Sequence, residues 1–195
     1  MMIFLVLKER LKAFYGNYAT PVNGAVKFLY SFVAVALLNS NIGYRTELTG
    51  PAVMFAVAFV SAFLPYGAIG CLLGAIMLAH IYAVSMETAL IAIVVLVILI
   101  LLYYGFQPGD SFWLVLTPMA LFLNVPFAVP ILAGLSGSLL SVIPVGSGVL
   151  IYYLISYVKQ NAGLLTNDTS VDITQKFAQI LRGLLSNQEM MVMIM

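Results

Sequence analysis

The chain of 195 residues is 63% hydrophobic and only 8% charged, with a formal net charge of +1. Soluble proteins carry charge on about a quarter of their residues, so this composition excludes a water-soluble globular domain and predicts a protein of the lipid bilayer. The near-neutral balance excludes a nucleic-acid partner, which requires a basic face. The single cysteine, Cys71, excludes an internal disulfide, and no Cys/His cluster predicts a metal site or a cofactor.

Residues 1–21 are predicted to form an amphipathic helix that lies on the membrane surface. The charged segment from Lys8 to Lys12 follows an apolar start, which reverses the order found in a secretory signal peptide. Pro21 and Gly24 are expected to break the chain before the first membrane span.

The segment 22–158 is predicted to be a polytopic transmembrane domain, because a spanning helix needs about 20 predominantly apolar residues. The candidate spans are residues 25–43, 51–64, 68–84, 88–106, 111–135 and 139–158. The predicted fold class is therefore an all-α membrane protein with about six transmembrane helices, an interfacial N-terminal helix and an amphipathic C-terminal helix.

The fifth candidate span is irregular, because prolines and a polar residue interrupt it. These are Pro118, Asn124, Pro126 and Pro130. Each proline removes a backbone hydrogen bond from a helix, and such interruption at membrane depth is tolerated only where protein or water covers the backbone. The first interpretation is a broken helix that crosses once. The alternative is a re-entrant hairpin that turns at residues 124–126.

The distribution of basic residues supports six spans. Six spans place both ends of the chain on one side, together with Lys8, Arg10, Lys12, Lys159, Lys176 and Arg182. Arg45 is then the only basic residue in an external loop. This asymmetry predicts a cytoplasmic N-terminus by the positive-inside rule.

The C-terminal part is predicted to differ from the spans. Residues 159–189 are expected to form a cytoplasmic linker and an amphipathic helix, whose apolar and polar side chains separate onto two faces between 171 and 185. Residues 190–195 begin another apolar run. We interpret that run as the start of a further span and expect the sequence to be a fragment of a longer protein.

His80 is the only side chain deep in a predicted span that titrates near neutral pH, and intramembrane ionisable residues are functional candidates by default. Glu87 follows seven residues later and falls on roughly the same helix face. The pair predicts a relay for protons or cations. The alternative is a neutral His80 that is hydrogen-bonded inside the fold, with Glu87 at the membrane interface.

The proline-rich region between residues 117 and 148 is the second candidate site. Transporters build binding sites from discontinuous helices whose freed backbone groups act as ligands. Thr117, Asn124, Ser141 and Ser147 supply side-chain oxygens for a substrate or ion pathway in this interpretation. The alternative is kinked helix packing without a ligand.

The third candidate span carries a stripe of small residues, which lets two helix backbones approach closely. The stripe consists of Gly67, Gly70, Cys71, Gly74, Ala75 and Ala79. We expect these residues to pack against a neighbouring helix of the same chain.

Four short segments carry a resemblance to a known group of proteins. They are Asn39-Ser40-Asn41-Ile42-Gly43, Ala62-Phe63-Leu64-Pro65, Leu116-Thr117-Pro118 and the run from Tyr152 to Lys159. With these segments the chain resembles an uncharacterised family of multi-spanning membrane proteins of Gram-positive anaerobic bacteria. The resemblance implies a bacterial plasma membrane, and a final span after the amphipathic tail. It implies no substrate.

The sequence contains no HExxH, GxSxG or phosphate-binding loop, so we do not expect an enzyme. Two functions remain. One is a permease-like component for a small neutral solute, which would work with a partner membrane subunit or an ATPase. The other is a membrane scaffold subunit of an envelope or secretion assembly that transports nothing.

Overall fold

The structure, a computed structural model, describes residues 2–106, 109, 111–136, 139–167, 178 and 182. All regular structure in these residues is helical, which confirms the predicted all-α class. The helices are α1 (Met2–Ile42), α2 (Pro51–Phe63), α3 (Tyr66–Val84), α4 (Met86–Phe106), α5 (Ser111–Phe122), α6 (Ala128–Ser136) and α7 (Val142–Asn167). Short 3₁₀ turns at Thr46–Leu48 and Leu139–Ser141 precede α2 and α7.

Four helical stretches in the described residues are long and apolar enough to cross a membrane. They are Tyr18–Ile42, Tyr66–Val84, Met86–Phe106 and Val142–Gly163. Helices α2 and α5 are apolar but contain only 13 and 12 residues, which corresponds to about 18–20 Å at 1.5 Å per residue. The predicted count of about six spans is therefore not confirmed. The predicted amphipathic helix at 171–185 and the apolar run at 190–195 lie outside the described residues, except for Ala178 and Arg182.

Helix α1 runs through the position where the sequence predicted a break. Its kink lies at Tyr18, where φ is −122° and ψ is 28°. Pro21 has no N–H to donate to the carbonyl one turn earlier, so the helix bends in the turn that precedes the proline. The predicted surface segment is thus joined to the first candidate span by a kink and not by a loop.

Helix α2 packs antiparallel to α1. The carbonyl oxygen of Ala62, near the end of α2, lies close to Gly24, whereas Phe55 near its start contacts Phe32 with ring centroids 5.1 Å apart. Pro51 begins α2 at the first helical position, where its missing N–H would have had no intrahelical partner.

A single residue, Ser85, connects α3 to α4. Its extended backbone (φ −158°, ψ 129°) ends α3, and its hydroxyl accepts a hydrogen bond from the N–H of Thr88 at 3.4 Å. A serine at this N-cap position satisfies one of the free N–H groups of the next helix. Helices α3 and α4 are therefore tightly joined antiparallel neighbours.

The bundle has two distinct ends. At the end that we call the Tyr103 end, the side chain of Tyr103 in α4 is hydrogen-bonded to Ser111 at the start of α5, and both lie against Gly67 near the start of α3. At the opposite end, called the His80 end, α1 and α3 finish and α4 begins.

Helix α5 ends in a Schellman motif and the chain turns back. The N–H of Val125 donates to the carbonyl of Ala120 at 2.9 Å, and the N–H of Asn124 donates to Leu121 at 3.1 Å. Asn124 has a φ of 58°, the left-handed conformation that such caps require. Pro126 follows two residues later and prevents the helix from continuing.

Helices α5 and α6 form a hairpin that packs against the first half of α7. Val129 and Ala133 of α6 share an apolar cluster with Val145 of α7, together with side chains of α5. Helix α7 runs parallel to α5, because Gly148 faces Thr117 and, one turn further on in both helices, the rings of Tyr152 and Phe122 contact each other.

Helix α7 ends at the His80 end. The Lys159 ammonium donates a hydrogen bond to the Asn41 side-chain oxygen at 2.8 Å, and Asn41 belongs to the last turn of α1. The sequence predicted Lys159 on the same side as Lys8, Arg10 and Lys12, whereas the structure places Lys159 beside the end of α1. The physical reason is the α5–α6 hairpin: it returns the chain to the Tyr103 end, where a single crossing would have left it at the His80 end.

The outer surface of the bundle is apolar. Phe63, Leu101 and Leu135 are 76%, 68% and 81% exposed, and many other large aliphatic and aromatic side chains on α2, α4 and α6 are also exposed. A soluble monomer rarely leaves contiguous apolar surface of this extent uncovered. The folded chain thus presents the surface that a hydrocarbon solvent favours.

Candidate functional site

His80 lies fully buried where α1, α3 and the following loop meet. Its Nε2 atom is 3.0 Å from the side-chain oxygen of Asn39, and its Nδ1 atom accepts the backbone N–H of Arg45 at 3.2 Å. The Asn39 amide nitrogen donates to the carbonyl of Leu48 at 3.3 Å. Side chains from two helices therefore hold both sides of the loop that leads to α2.

These contacts assign the tautomer of His80. Because Nδ1 accepts a backbone N–H, the ring proton is on Nε2 and is donated to Asn39. A neutral imidazole satisfies both neighbours in this arrangement, and neither ring nitrogen points toward a channel. His80 therefore forms a hydrogen-bonded link between α3 and the loop after α1.

Glu87 lies in the first turn of α4, where a carboxylate interacts favourably with the helix dipole. It accepts a hydrogen bond from the Ser85 hydroxyl at 2.9 Å. The ring nitrogens of His80 contact Asn39 and Arg45 and not this carboxylate. The structure thus gives the two ionisable residues different partners, and the relay between them stays a prediction.

The proline-rich region brings α5 and α7 into close contact. Pro118 has no N–H, so the carbonyl of Leu114 one turn earlier lacks its helical donor. Gly148 covers that carbonyl: a β-carbon at Gly148 would lie 2.8 Å from the oxygen and 2.6 Å from the β-carbon of Thr117. The Leu114 carbonyl, which lacks its helical donor, therefore packs against α7.

The polar side chains predicted for a pathway are spread over different environments. Thr117 is buried and donates to the carbonyl of Trp113 at 2.7 Å, within its own helix. Ser141 and Ser147 are also buried, beside α7 and within it. Asn124 is exposed in the turn between α5 and α6, where its backbone forms the helix cap. The structure does not join these residues to His80.

The small residues of α3 divide between two surroundings. Gly67 lies against Tyr103, Tyr104 and Ser111, while Gly70 faces α5 and Gly74 faces Leu96 of α4. The remaining members of the stripe are less enclosed: Cys71 and Ala75 are exposed, and Ala79 is partly buried. Only the glycine side of the stripe faces the neighbouring helices directly.

A cavity of about 220 Å³ lies beside this glycine side. Helices α1, α3, α4, α5 and α7 all contribute to its wall, which is almost entirely apolar. Tyr103 and Tyr104 contribute to the wall at the Tyr103 end. His80, Asn124 and the buried serines are not part of it.

The chemistry of the wall determines what the cavity can hold. A water molecule needs two to four polar partners, and an apolar cavity of similar size stays dry and accepts benzene. An uncharged apolar group is therefore the occupant that this site favours.

The sequence did not predict the cavity, although it marked one wall of it. The stripe of small residues on α3 was interpreted as a close helix contact, and the other walls come from helices far apart in the chain. Comparison of the chain with protein families, with curated proteins and with solved structures finds no match. A function for the candidate site can therefore be inferred only from the geometry of the site.

Proposed function

We propose that this chain is a permease-like component of a membrane that takes a small, uncharged solute into the cavity between α3, α4 and α5. The observation that carries the proposal is the cavity itself, which is lined by residues of five helices and has an almost wholly apolar wall. Binding sites in helical membrane proteins commonly lie between helices of a bundle, with a few polar groups that orient the ligand.

The α5–α6 hairpin supports this proposal. Helices that turn back inside a membrane are tolerated where protein covers their backbone, and transporters use such broken helices to build solute sites. Here α5 supplies Leu114, Val115 and Pro118 to the cavity wall.

We place the protein in a bacterial plasma membrane with its N-terminus in the cytoplasm, on the basis of the family resemblance and of the cations near the start of the chain. A partner subunit or an ATPase would supply energy if transport is active. That the protein is not an enzyme stays a prediction, which is based on the lack of catalytic motifs in the sequence.

The proposal is tested by uptake into proteoliposomes that contain the full chain. The probes are uncharged solutes graded from glycerol to alkyl glycosides, and the expected result is protein-dependent uptake of those that carry an alkyl group. The Gly74→Leu variant places a side chain in the cavity, where a β-carbon meets only Leu96, at 3.7 Å, and should reduce uptake at least tenfold.

The matched control is Gly105→Leu, because Gly105 is exposed in α4 with no atom within 4 Å of an added β-carbon. This variant should retain wild-type uptake. Absence of uptake for every probe, or equal uptake by Gly74→Leu and wild type, would remove the permease proposal.

The scaffold function is the second candidate, and the geometry of His80 favours it. Both ring nitrogens of this buried histidine are engaged within the fold, so His80 stabilises the structure and offers no free ring nitrogen to a solute. A scaffold predicts no uptake in the same assay, and stable co-purification with other envelope proteins from native membranes.

A further inference from the structure

The cavity is elongated along the helices and begins at the Tyr103 end. Its wall on α3 extends from Gly67 to Leu78, and its wall on α4 extends from Tyr104 back to Ile93. At 1.5 Å per residue, each wall covers roughly 16 Å along its helix axis. The cavity is therefore a narrow slot that runs parallel to the chains of the surrounding lipids.

One long side of the slot faces the outside of the bundle. Cys71 and Ala75 on α3, with Ile93 and Val97 on α4, line the cavity and are also exposed on the outer surface. The outer surface there is apolar, so a molecule dissolved in the bilayer reaches the slot without entering water. Access is thus lateral, between α3 and α4.

The polar groups of the slot are confined to its Tyr103 end. The Tyr104 hydroxyl lies 3.3 Å from the position of a β-carbon on Gly67, and Tyr103 is hydrogen-bonded to Ser111 beside it. Tyrosines are enriched at the membrane–water interface. No lysine or arginine of the described residues lines the slot, and Lys27 of α1 lies over the ring of Tyr66, 5.4 Å from its centroid.

The chemistry of transport narrows the ligand class further. A purely apolar molecule crosses a bilayer unaided, and a purely polar one would find no hydrogen-bond partners along the slot. An amphiphile fits both conditions, because its head makes the bilayer a barrier and its tail matches the wall.

We propose that the slot binds the hydrocarbon tail of a single-chain amphiphile, which enters from the bilayer between α3 and α4 and leaves its uncharged polar head beside Tyr103 and Tyr104, the two tyrosines of the cavity wall. This inference rests on the proposed function, since it names the class of solute that the same cavity takes. It adds the direction of entry and the orientation of the ligand.

The test is photo-cross-linking of the full chain in lipid nanodiscs. Two long-chain fatty alcohols are used, one with a diazirine near the hydroxyl and one with a diazirine at the end of the chain. The first should label the segment between Gly67 and Cys71 or Tyr104. The second should label Met77, which is only 2% exposed, or its neighbour Leu78.

Annular lipid labels the outside of α4 in any case, so Ile98 and Leu101 serve as internal references. Labelling by the end-of-chain probe that is confined to these two residues would overturn the proposal. Labelling of Met77 by both probes alike would overturn the orientation. Both tests use the wild-type chain and need no variant to fold.

Competition with non-photoreactive ligands tests whether the polar head of the bound amphiphile is uncharged. Excess fatty alcohol should reduce labelling of Met77 at least fivefold, whereas a fatty acid of equal length should compete less well. Stronger competition by the acid would show that the head is anionic and overturn the uncharged class. The Gly74→Leu variant should lose labelling of Met77 and retain that of Leu101.

The outcomes separate this inference from the proposed function. Labelling of Met77 without any uptake into proteoliposomes would leave the tail site standing and remove transport. Uptake without labelling of Met77 would leave a permease and remove the tail site.

Discussion

His80 shows how a residue that looks functional in a membrane sequence can serve the fold. Its ring bridges the end of α1 and the loop that follows, with a donor on one nitrogen and an acceptor on the other. A buried histidine that is fully satisfied in this way acts as a fixed cross-link between segments. The loop in question carries the chain into α2.

Replacement of His80 by alanine should destabilise the protein by about 3 kcal/mol, because it leaves the Asn39 oxygen and the Arg45 N–H without partners and creates a cavity. Unfolding in mixed detergent micelles measures this loss. Tyr82→Ala is the control, since Tyr82 is exposed two residues away and should change stability by only about 0.5 kcal/mol. Equal losses for the two variants would contradict the assigned role.

The same assignment predicts the spectrum of the ring. Nitrogen-15 NMR of the single histidine at neutral pH should show a protonated Nε2 and an unprotonated Nδ1, because Nδ1 accepts the backbone N–H of Arg45. A doubly protonated ring, or the opposite tautomer, would contradict the assigned hydrogen bonds of His80 to Arg45 and Asn39.

Two substitutions of Asn124 distinguish a role in capping α5 from a role as a ligand. Its φ of 58° is costly for residues with a β-carbon, so Asn124→Ala should destabilise the protein by about 1 kcal/mol. Asn124→Gly removes the same side chain and relieves the strain, so it should match or exceed the wild type in stability. If both variants lose uptake activity equally while folding normally, the side chain acts as a ligand.

At the residue scale the sequence located polar residues but not their partners. The tautomer of His80 depends on Asn39 and Arg45, which lie 41 and 35 positions away in the chain. No periodicity or spacing encodes such contacts. Asn124 was different, because a polar residue two positions before Pro126 is a local feature, and the alternative interpretation placed the turn at residues 124–126.

At the scale of elements, the contact between α5 and α7 depends on one glycine. A methyl group at Gly148 would clash with Thr117 and with the carbonyl of Leu114, so Gly148→Ala should cost roughly 1–3 kcal/mol. Gly146, two residues earlier in the same helix, has no atom within 4 Å of an added β-carbon. Gly146→Ala is therefore the matched control and should leave stability unchanged or raise it.

The measurement is the same unfolding assay, and the comparison is between two substitutions of identical chemistry. A loss for Gly146→Ala as large as that for Gly148→Ala would mean that helix conformation, and not the interhelical contact, sets the cost. The difference between the two variants isolates the packing of α5 on α7.

The boundaries of three helices were predictable, whereas the direction of α7 was not. The predicted spans 51–64, 68–84 and 88–106 differ from α2, α3 and α4 by two residues or fewer at each end, because prolines and polar turns mark those ends locally. The fifth span resolved into α5 and α6, as the re-entrant alternative anticipated. Hydropathy alone cannot say whether an interrupted apolar segment crosses or returns.

At the scale of the molecule, the hairpin changes which loops share a side. In a Cys71→Ala background, single cysteines at Thr46 and Gln160 should react with a membrane-impermeant thiol reagent from the same side of a sealed vesicle. A cysteine at Gly109 should react only from the other side. These three positions are exposed in the structure.

A helix that crossed once at residues 111–135 would instead put Gln160 on the side of Gly109. The experiment therefore distinguishes the two interpretations without any assumption about function. It also determines whether Lys159 and the loop after α1 lie on the same side of the membrane, as the hydrogen bond to Asn41 implies.

The shortness of α2 has a consequence for the surrounding membrane. Its 13 residues span about 20 Å beside α1, against a hydrocarbon layer about 30 Å thick. If α2 spans the bilayer, we expect the hydrocarbon layer to be thinner beside its exposed Phe55, Phe59 and Phe63 than around the longer helices. A membrane that is already thin, or that a neighbouring protein has thinned, would need less deformation around α2. We therefore expect the protein to concentrate in such membranes and beside such neighbours.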